Sequence, residues 1–240
     1  MKKTIVTSLV ALTVVGGAFA QGYVNWGSGA IAGNNFTAQT NATAWSPLFG
    51  GGTTGSGTVG ATATTGGGFY YAMLYTAQPA YGVAVSQPST LAALGGWSSA
   101  ANETATNSVL NAGRIITQNQ NGAATVPWAN GTTNEIMMVG WSSNLGNNWA
   151  TAYSTLNSPA LLGNVVGQAF FGMSSVGYIN PGTSSTLGVN VFSSSTTGLP
   201  QGQSIFSVNT QLYLVPVPEP GTMALAALGG ASMLLFRRRK

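Results

Sequence analysis

The 240-residue sequence predicts an all-β domain of the β-sandwich or jelly-roll type, with one short helix. Three observations predict this class. Short runs rich in aromatic and β-branched residues recur through residues 21–215. Gly, Asn and Pro separate these runs, and several runs alternate apolar and polar residues with the period of a half-buried strand. A domain of about 195 residues is also long enough to bury one core, since it removes roughly 70% of its chain surface from water.

Two strands are predicted most clearly. Phe69–Tyr75 is rich in aromatic residues and lies between Gly68 and Pro79, whereas Phe206–Leu214 alternates apolar and polar residues with a break at Thr210. Asn-Gly pairs between runs predict hairpin turns, because these residues adopt positive φ angles. The other predicted strands and the two turns are Val83–Ser86, Val109–Gln118, Ile136–Trp141, Val165–Met173, Leu187–Phe192, Asn121-Gly122 and Asn130-Gly131.

The segment Leu145–Leu156 departs from the strand pattern. Its apolar residues follow the spacing of one helix face, which predicts a short amphipathic helix across one end of the sandwich. Leu91–Leu94 is a weaker helix candidate. Gly50–Gly68 is a run of Gly, Thr, Ala and Ser without the Gly-Lys-Ser/Thr of a phosphate-binding loop, so it predicts a flexible hairpin loop.

The first twenty residues have the layout of a secretory signal peptide. A basic start, an apolar run and a stretch of small residues follow one another. The apolar run is too short to cross a bilayer, which takes about 20 residues. Ala18 and Ala20 form an A-x-A cleavage site, so signal peptidase is expected to leave Gln21 as the new N-terminus.

The last 25 residues contain three parts in a set order. A Pro-rich stretch is followed by the uncharged residues 221–236, which predict a short transmembrane helix, and then by a basic cluster that is expected to stay in the cytoplasm. The residues of the first and third parts are Pro218, Glu219 and Pro220, and Arg237, Arg238, Arg239 and Lys240.

Residues 216–240 resemble the PEP-CTERM sorting signal of Gram-negative bacteria that make extracellular polysaccharide. The resemblance implies processing by an exosortase, a membrane-bound enzyme of the cysteine transpeptidase kind. It also implies that the Pro-Glu-Pro tripeptide is a recognition element and has no catalytic role.

The body resembles, more loosely, a group of exported PEP-CTERM proteins from the Verrucomicrobia. The residues that carry this resemblance are Gln21-Gly22-Tyr23-Val24-Asn25-Trp26, Ala72-Met73-Leu74-Tyr75 and Met138-Val139-Gly140-Trp141-Ser142, followed by Leu145-Gly146. No activity is established for that group, so the resemblance implies only an all-β extracellular domain.

Charge is nearly absent from the body. Between the two terminal segments only Arg114, Glu103 and Glu135 are charged, and the chain has no Cys, His or Asp. Nucleic-acid binding is excluded because it needs clustered Lys and Arg. A Ser or Cys nucleophile with a His base is excluded by composition, as is a zinc site. We expect no cofactor and no metal.

Two features of the body leave alternatives open. Glu103 and Glu135 are the carboxylates that a glycosidase could use, although each is expected to be a solvated surface residue, with Arg114 as an ion-pair partner of one of them. The Trp residues fit either the core or an exposed sugar-binding surface, where a ring stacks on the face of a sugar. The six are Trp26, Trp45, Trp97, Trp128, Trp141 and Trp149.

The sequence therefore predicts an exported, non-enzymatic protein of the cell surface or extracellular matrix, associated with exopolysaccharide. Its expected partners are signal peptidase, an exosortase, the inner membrane as a temporary anchor, and extracellular polysaccharide. The alternative is a cell-surface carbohydrate-active enzyme that uses Glu103 and Glu135.

Overall fold

The structure is a computed structural model. It describes residues 21–25, 37–51, 59–61, 68–77, 87–100, 104–108, 112–116, 123–192, 205, 209–217, 228–229 and 232–233. The strands within these residues are β1 (Gly22–Asn25), β2 (Thr37–Trp45), β3 (Val59–Ala61), β4 (Phe69–Ala77), β5 (Ser98–Ser99), β6 (Ala105–Asn107), β7 (Ile115–Ile116), β8 (Ala123–Val126), β9 (Asn134–Ser142), β10 (Phe170–Met173), β11 (Gly177–Ile179), β12 (Val189–Asn190) and β13 (Asn209–Leu214). The helices are α1 (Trp149–Asn157) and α2 (Pro159–Leu162), and 3-10 turns lie at Pro47–Phe49, Ala92–Gly96, Ser143–Leu145 and Ser185–Leu187.

Ten strands form one large mixed sheet. Eight of them run in the order β3-β2-β13-β10-β9-β4-β6-β7, while β11 pairs with β9 and β5 pairs with β4. The pair β4 and β9 is the longest, with a continuous antiparallel register from Phe69 opposite Ser142 to Ala77 opposite Asn134. The one parallel pair in the described part of this sheet is β2 and β13. A second sheet has three strands in the order β12-β1-β8.

The two sheets share one core. Val24 and Val126 of the small sheet are buried together with Tyr71, Met73 and Met138 of the large sheet. Successive side chains of a strand point to opposite faces, so every second residue of β4 and β9 contributes to this core. The β-rich fold fits the predicted sandwich.

The opposite face of the large sheet packs against α1 and α2. Met137, Val139 and Trp141 of β9 are buried there beside Leu156 and other apolar residues of the helices. We call this set of buried residues the helix-side cluster. The predicted helix forms, but it lies over a face of the large sheet and not across one end of the sandwich. The reason is that the other face of β9 already packs against the small sheet, which leaves this one to be covered.

The start of α1 is determined locally. Asn148 caps the helix, because its side-chain Oδ1 accepts a hydrogen bond of 2.9 Å from the backbone N–H of Thr151. Trp141 approaches the same turn, where its Nε1 donates to the carbonyl oxygen of Gly146 at 2.8 Å. The ring of Trp149 lies 5.8 Å from that of Trp141, centroid to centroid, so the first turn of α1 is held against the sheet.

Several local predictions are confirmed and others are corrected. β4 and β9 include the predicted strands Phe69–Tyr75 and Ile136–Trp141. Leu91–Leu94 overlaps a 3-10 turn and not an α-helix, and only the last four residues of Val165–Met173 are a strand. The predicted strand Phe206–Leu214 is described as a strand from Asn209 onward.

The turn at Asn130-Gly131 is not a hairpin. Gly131 has the expected positive φ of 91°, but β8 before the turn belongs to the small sheet and β9 after it belongs to the large sheet. The turn therefore carries the chain from one sheet to the other. It is held there by Asn130, whose Nδ2 donates to the carbonyl oxygen of Pro181 at 2.7 Å. The predictions at 83–86 and 121–122, and most of the 50–68 loop, lie outside the described residues.

Candidate functional site

A cleft of about 660 Å³ lies beside the helix-side cluster. Its floor comes from the adjacent strands β10 and β13, and its walls come from two segments that are distant in the sequence, at 46–51 and 87–89. The described residues that line it are Ser46, Pro47, Leu48, Gly51, Gln87, Pro88, Ser89, Phe171, Gly172, Met173, Ser174, Ser175, Thr210, Gln211 and Tyr213.

Hydrogen bonds hold both walls against the floor. The Nε2 of Gln87 donates to the carbonyl oxygen of Ser174 at 2.9 Å, which ties the 87–89 segment to the end of β10. The backbone N–H of Ser46 donates to the carbonyl oxygen of Leu214 at 2.8 Å, which ties the other wall to β13. The cleft is therefore held by contacts across the fold.

The floor requires a close approach of two strands. A Cβ on Gly172 would collide with the backbone carbonyl oxygen of Gln211, so only glycine fits at this position of β10. With glycine there, Phe171 is paired with Tyr213 across the strands. Phe171 is fully buried and Tyr213 is half-buried, so of these two rings only that of Tyr213 is partly exposed at the cleft.

The chemistry of the cleft is uncharged and polar. Its described lining consists of hydroxyls, side-chain amides, apolar groups and backbone, without a single ionisable carboxylate or cation. Thr210 is 2% exposed, and its Oγ1 has no hydrogen-bond partner among the described residues. Buried hydroxyls normally have a partner, and an unmet one costs about 1–3 kcal/mol.

Glu135 is buried, which corrects the expectation of a solvated surface residue. It lies on β9 opposite Thr76 of β4 and Tyr178 of β11, and only 1% of it is exposed. Neither carboxylate oxygen has a hydrogen-bond partner in the described part of the chain. Removal of the carboxyl from water raises its pKa above the ordinary value. The position looked solvated because it begins a strand next to a turn, but that strand runs through the middle of the sheet.

The expected ion pair between Arg114 and Glu135 is not formed. Arg114 is exposed, whereas both oxygens of Glu135 are without a partner. Glu103 lies outside the described residues, so neither its pairing with Arg114 nor its distance from Glu135 is described. No group of three or more metal-binding side chains is present in the described ranges.

The tryptophans divide between core and surface. Trp141 is fully buried, and Trp128 is 7% exposed with its ring 4.8 Å from that of Tyr75. Trp97 and Trp149 are half-buried and pack against the helix-side cluster. Trp45 is 50% exposed, next to the cleft wall at Ser46. Trp26 lies outside the described residues.

The body leads directly into the C-terminal segment. Val215 is 2% exposed and its backbone N–H donates to the carbonyl oxygen of Ala169 at 2.8 Å, while Val217 packs against the helix-side cluster. The described chain thus stays in contact with the fold up to the residue before Pro218. Over the described residues no helix is long and apolar enough to cross a membrane.

Most of the predicted sorting and cleavage residues lie outside the described residues. Gln21 is described, and it is exposed immediately before β1. The residues without a description are Ala18, Ala20, Pro218, Glu219, Pro220, Arg237, Arg238, Arg239 and Lys240.

No pattern in the sequence predicts the cleft. Gln211 and Tyr213 occupy the polar positions of the alternating strand Phe206–Leu214, which normally face solvent. Gln87 and Ser46 belong to no motif. Proximity in space is what brings these residues together, and no spacing in the sequence indicates it.

Comparison with known proteins identifies the end of the chain. Residues 216–240 match the family model of the PEP-CTERM protein-sorting motif. No curated protein matches the chain, and no solved structure does. The chain thus carries a PEP-CTERM sorting motif, which supports an exported protein that is a substrate of an exosortase.

Proposed function

We propose that this chain is an exported protein of the cell surface or extracellular matrix that has no catalytic role and associates with exopolysaccharide. The observation that carries the proposal is the sorting motif at residues 216–240, which implies an exported protein with a temporary membrane anchor. We include in this proposal that the body is of the type found in exported Verrucomicrobial proteins with the same sorting signal, which it loosely resembles.

The order of events follows from the two ends. Signal peptidase cuts between Ala20 and Gln21, and the body crosses the inner membrane. Residues 221–236 then hold the chain in the bilayer while the basic residues 237–240 stay in the cytoplasm. The exosortase recognises Pro218-Glu219-Pro220 and releases the body. Since Val217 still packs against the fold, we expect the enzyme to act close to the surface of the folded body.

The composition of the body supports a matrix role without catalysis. Arg114, Glu103 and Glu135 are its charged residues, and it lacks the Cys, His and Asp from which hydrolases with a Ser or Cys nucleophile build the nucleophile and its base. A surface of hydroxyls and amides suits contact with neutral sugars, whose hydroxyls both donate and accept hydrogen bonds.

One observation favours the alternative, a carbohydrate-active enzyme. Glu135 is a buried carboxyl with a raised pKa, as a general acid requires. Against it, Glu135 is 1% exposed and is not among the residues that line the cleft. If the host's extracellular polysaccharide is hydrolysed by the protein, Glu103→Gln and Glu135→Gln should each abolish the activity. Hydrolysis that survives both changes would remove these glutamates from the mechanism.

Analysis of the released protein tests the route. The protein collected from the surface of an exosortase-competent host should begin with Gln21, or its pyroglutamyl form, and should contain no peptide from Thr222–Phe236 by mass spectrometry. A host strain without the exosortase is the control, and there the tail should be retained. Recovery of Thr222–Phe236 on the released protein would show that the tail is a plain membrane anchor.

A further inference from the structure

We propose that the cleft between β10, β13 and the segments 46–51 and 87–89 binds a neutral polysaccharide chain, in preference to an acidic one. This inference rests on the proposed association with exopolysaccharide and assigns it to a site. The cleft volume of about 660 Å³ lies within the range of roughly 300–1,000 Å³ that ligand sites occupy.

The ligand should be neutral because no charged side chain is present in the described lining of the cleft. Arg114 and Glu135, the charged residues of the body that the structure describes, are not among its lining residues. A uronate or sulfate group that entered would lose its hydration without gaining a cation, which is costly. A neutral sugar loses only hydroxyl hydration, and hydroxyls and amides of the cleft can replace it.

The ligand should be a sugar because the floor places a side-chain amide beside partly exposed ring surface. Gln211 offers the amide, and the half-buried Tyr213, two residues further on the same face of β13, offers the ring. Sugars present the same combination, with hydroxyls at the ring edge and C–H groups on its faces, and the C–H face packs on aromatic rings.

The cleft is also held in shape before a ligand arrives. Its floor is a pair of hydrogen-bonded strands, and each wall is tied to the floor by the bonds of Gln87 and Ser46. Binding to a preformed surface avoids the entropy cost of ordering loops. The Gln211 side chain is positioned as well, since its Oε1 accepts a hydrogen bond from Asn41 Nδ2 at 3.4 Å.

The test uses the released, processed protein and two probes from the host. The probes are the neutral fraction of its extracellular polysaccharide and the acidic, uronate-containing fraction, separated by anion exchange. Binding is measured by affinity electrophoresis in gels that contain one fraction at a time. The wild-type protein should be retarded by the neutral fraction, and the acidic fraction should have at least about tenfold less effect.

Two variants assign the binding to the cleft. Ser89→Arg places a long cation at an exposed position of the wall, and Tyr213→Ala removes ring surface from the floor. Each should weaken binding to the neutral fraction by about tenfold, the equivalent of one or two hydrogen bonds. Ser98→Arg is the matched control, because Ser98 is an exposed serine on β5 that does not line the cleft. It should bind like the wild type. Circular dichroism and thermal unfolding check that each variant is folded. If Tyr213→Ala does not fold, Ser89→Arg still tests the site.

The possible failures are distinct. Neutral-fraction binding that is unchanged in Ser89→Arg would overturn the cleft assignment and leave the association with polysaccharide in place. Wild-type binding of the acidic fraction that equals or exceeds binding of the neutral fraction would overturn the neutral preference. Absence of binding to either fraction would overturn both the association and the site, whereas the sorting route is judged separately from the cleaved tail.

Discussion

The C-terminal segment and the body use charge in opposite ways. Residues 216–240 hold five of the ten charged residues, whereas residues 21–215 hold three. In the tail, Glu219 precedes the apolar residues 221–236, where the exosortase would recognise it. The basic residues 237–240 follow them, where they would keep the end of the chain in the cytoplasm. In the body, Glu135 is buried without a partner in the described region, and the described lining of the cleft is uncharged.

The difference shows that the two regions are maintained by different interactions. The tail depends on a few residues that are recognised directly, so single changes there should act on sorting and leave folding intact. The body depends on apolar packing over two faces of one sheet, so changes there should act on stability and leave sorting intact until the body unfolds.

The largest expected effect is on sorting. Changing Glu219 to Ala should almost eliminate the released form and leave protein that still carries the C-terminal tail in the inner membrane, because the recognition element loses its carboxylate. Changing residues 237–240 to Ser should instead weaken retention and misroute the protein, since no charge then opposes transfer of the tail. Immunoblots of the inner-membrane and surface fractions measure both effects.

Glu103→Ala is the matched control, because it removes a carboxylate from the body. It should leave processing unchanged. If the Glu219→Ala protein is correctly shortened and released in the same amount as the wild type, Glu219 is not needed for sorting. The proposed difference between the two regions would then be wrong.

The next largest effect is on packing. Trp141→Ala should lower the free energy of unfolding by about 3–5 kcal/mol, because the side chain is fully buried against Trp149 and Tyr70 and donates to Gly146. Trp45→Ala, at a half-exposed ring, should cost less than about 1 kcal/mol. Urea denaturation of the released protein, followed by circular dichroism, measures the difference. Equal losses would contradict the placement of the two rings.

The smallest effect concerns Glu135. Its folded-state pKa is raised, so the protonated carboxyl is favoured in the fold. The resulting stability is fully present below the unfolded-state pKa, near 4.5, and is lost as the pH rises through the folded-state pKa. Glu135→Gln should therefore match the wild type at acidic pH and be more stable than the wild type at neutral pH.

Denaturant midpoints taken across the acid-to-neutral range test this sign. Glu103→Gln, a change to the other body carboxylate, provides the comparison at each pH. A Glu135→Gln protein that is less stable than the wild type at neutral pH would mean that the carboxylate has a stabilising partner in the folded protein.

Local sequence was sufficient for several elements. Phe69–Tyr75 and Ile136–Trp141 were predicted as strands because aromatic and β-branched side chains suit a pleated surface, and both lie within strands of the large sheet. The helix around Trp149 was predicted from its spacing and is confirmed. The sorting motif was predicted from its three parts, because each part is contiguous in the chain, and the family comparison confirms it.

Tertiary structure decided the rest. Whether Glu135 is solvated depends on what packs over β9, and the role of Asn130-Gly131 depends on which sheet each neighbouring strand joins. The cleft depends on contacts between residues such as Gln87 and Ser174, which are 87 positions apart. Residue type and spacing determine propensity, periodicity and contiguous signals, whereas burial and the assembly of distant walls follow from the packing of the whole chain.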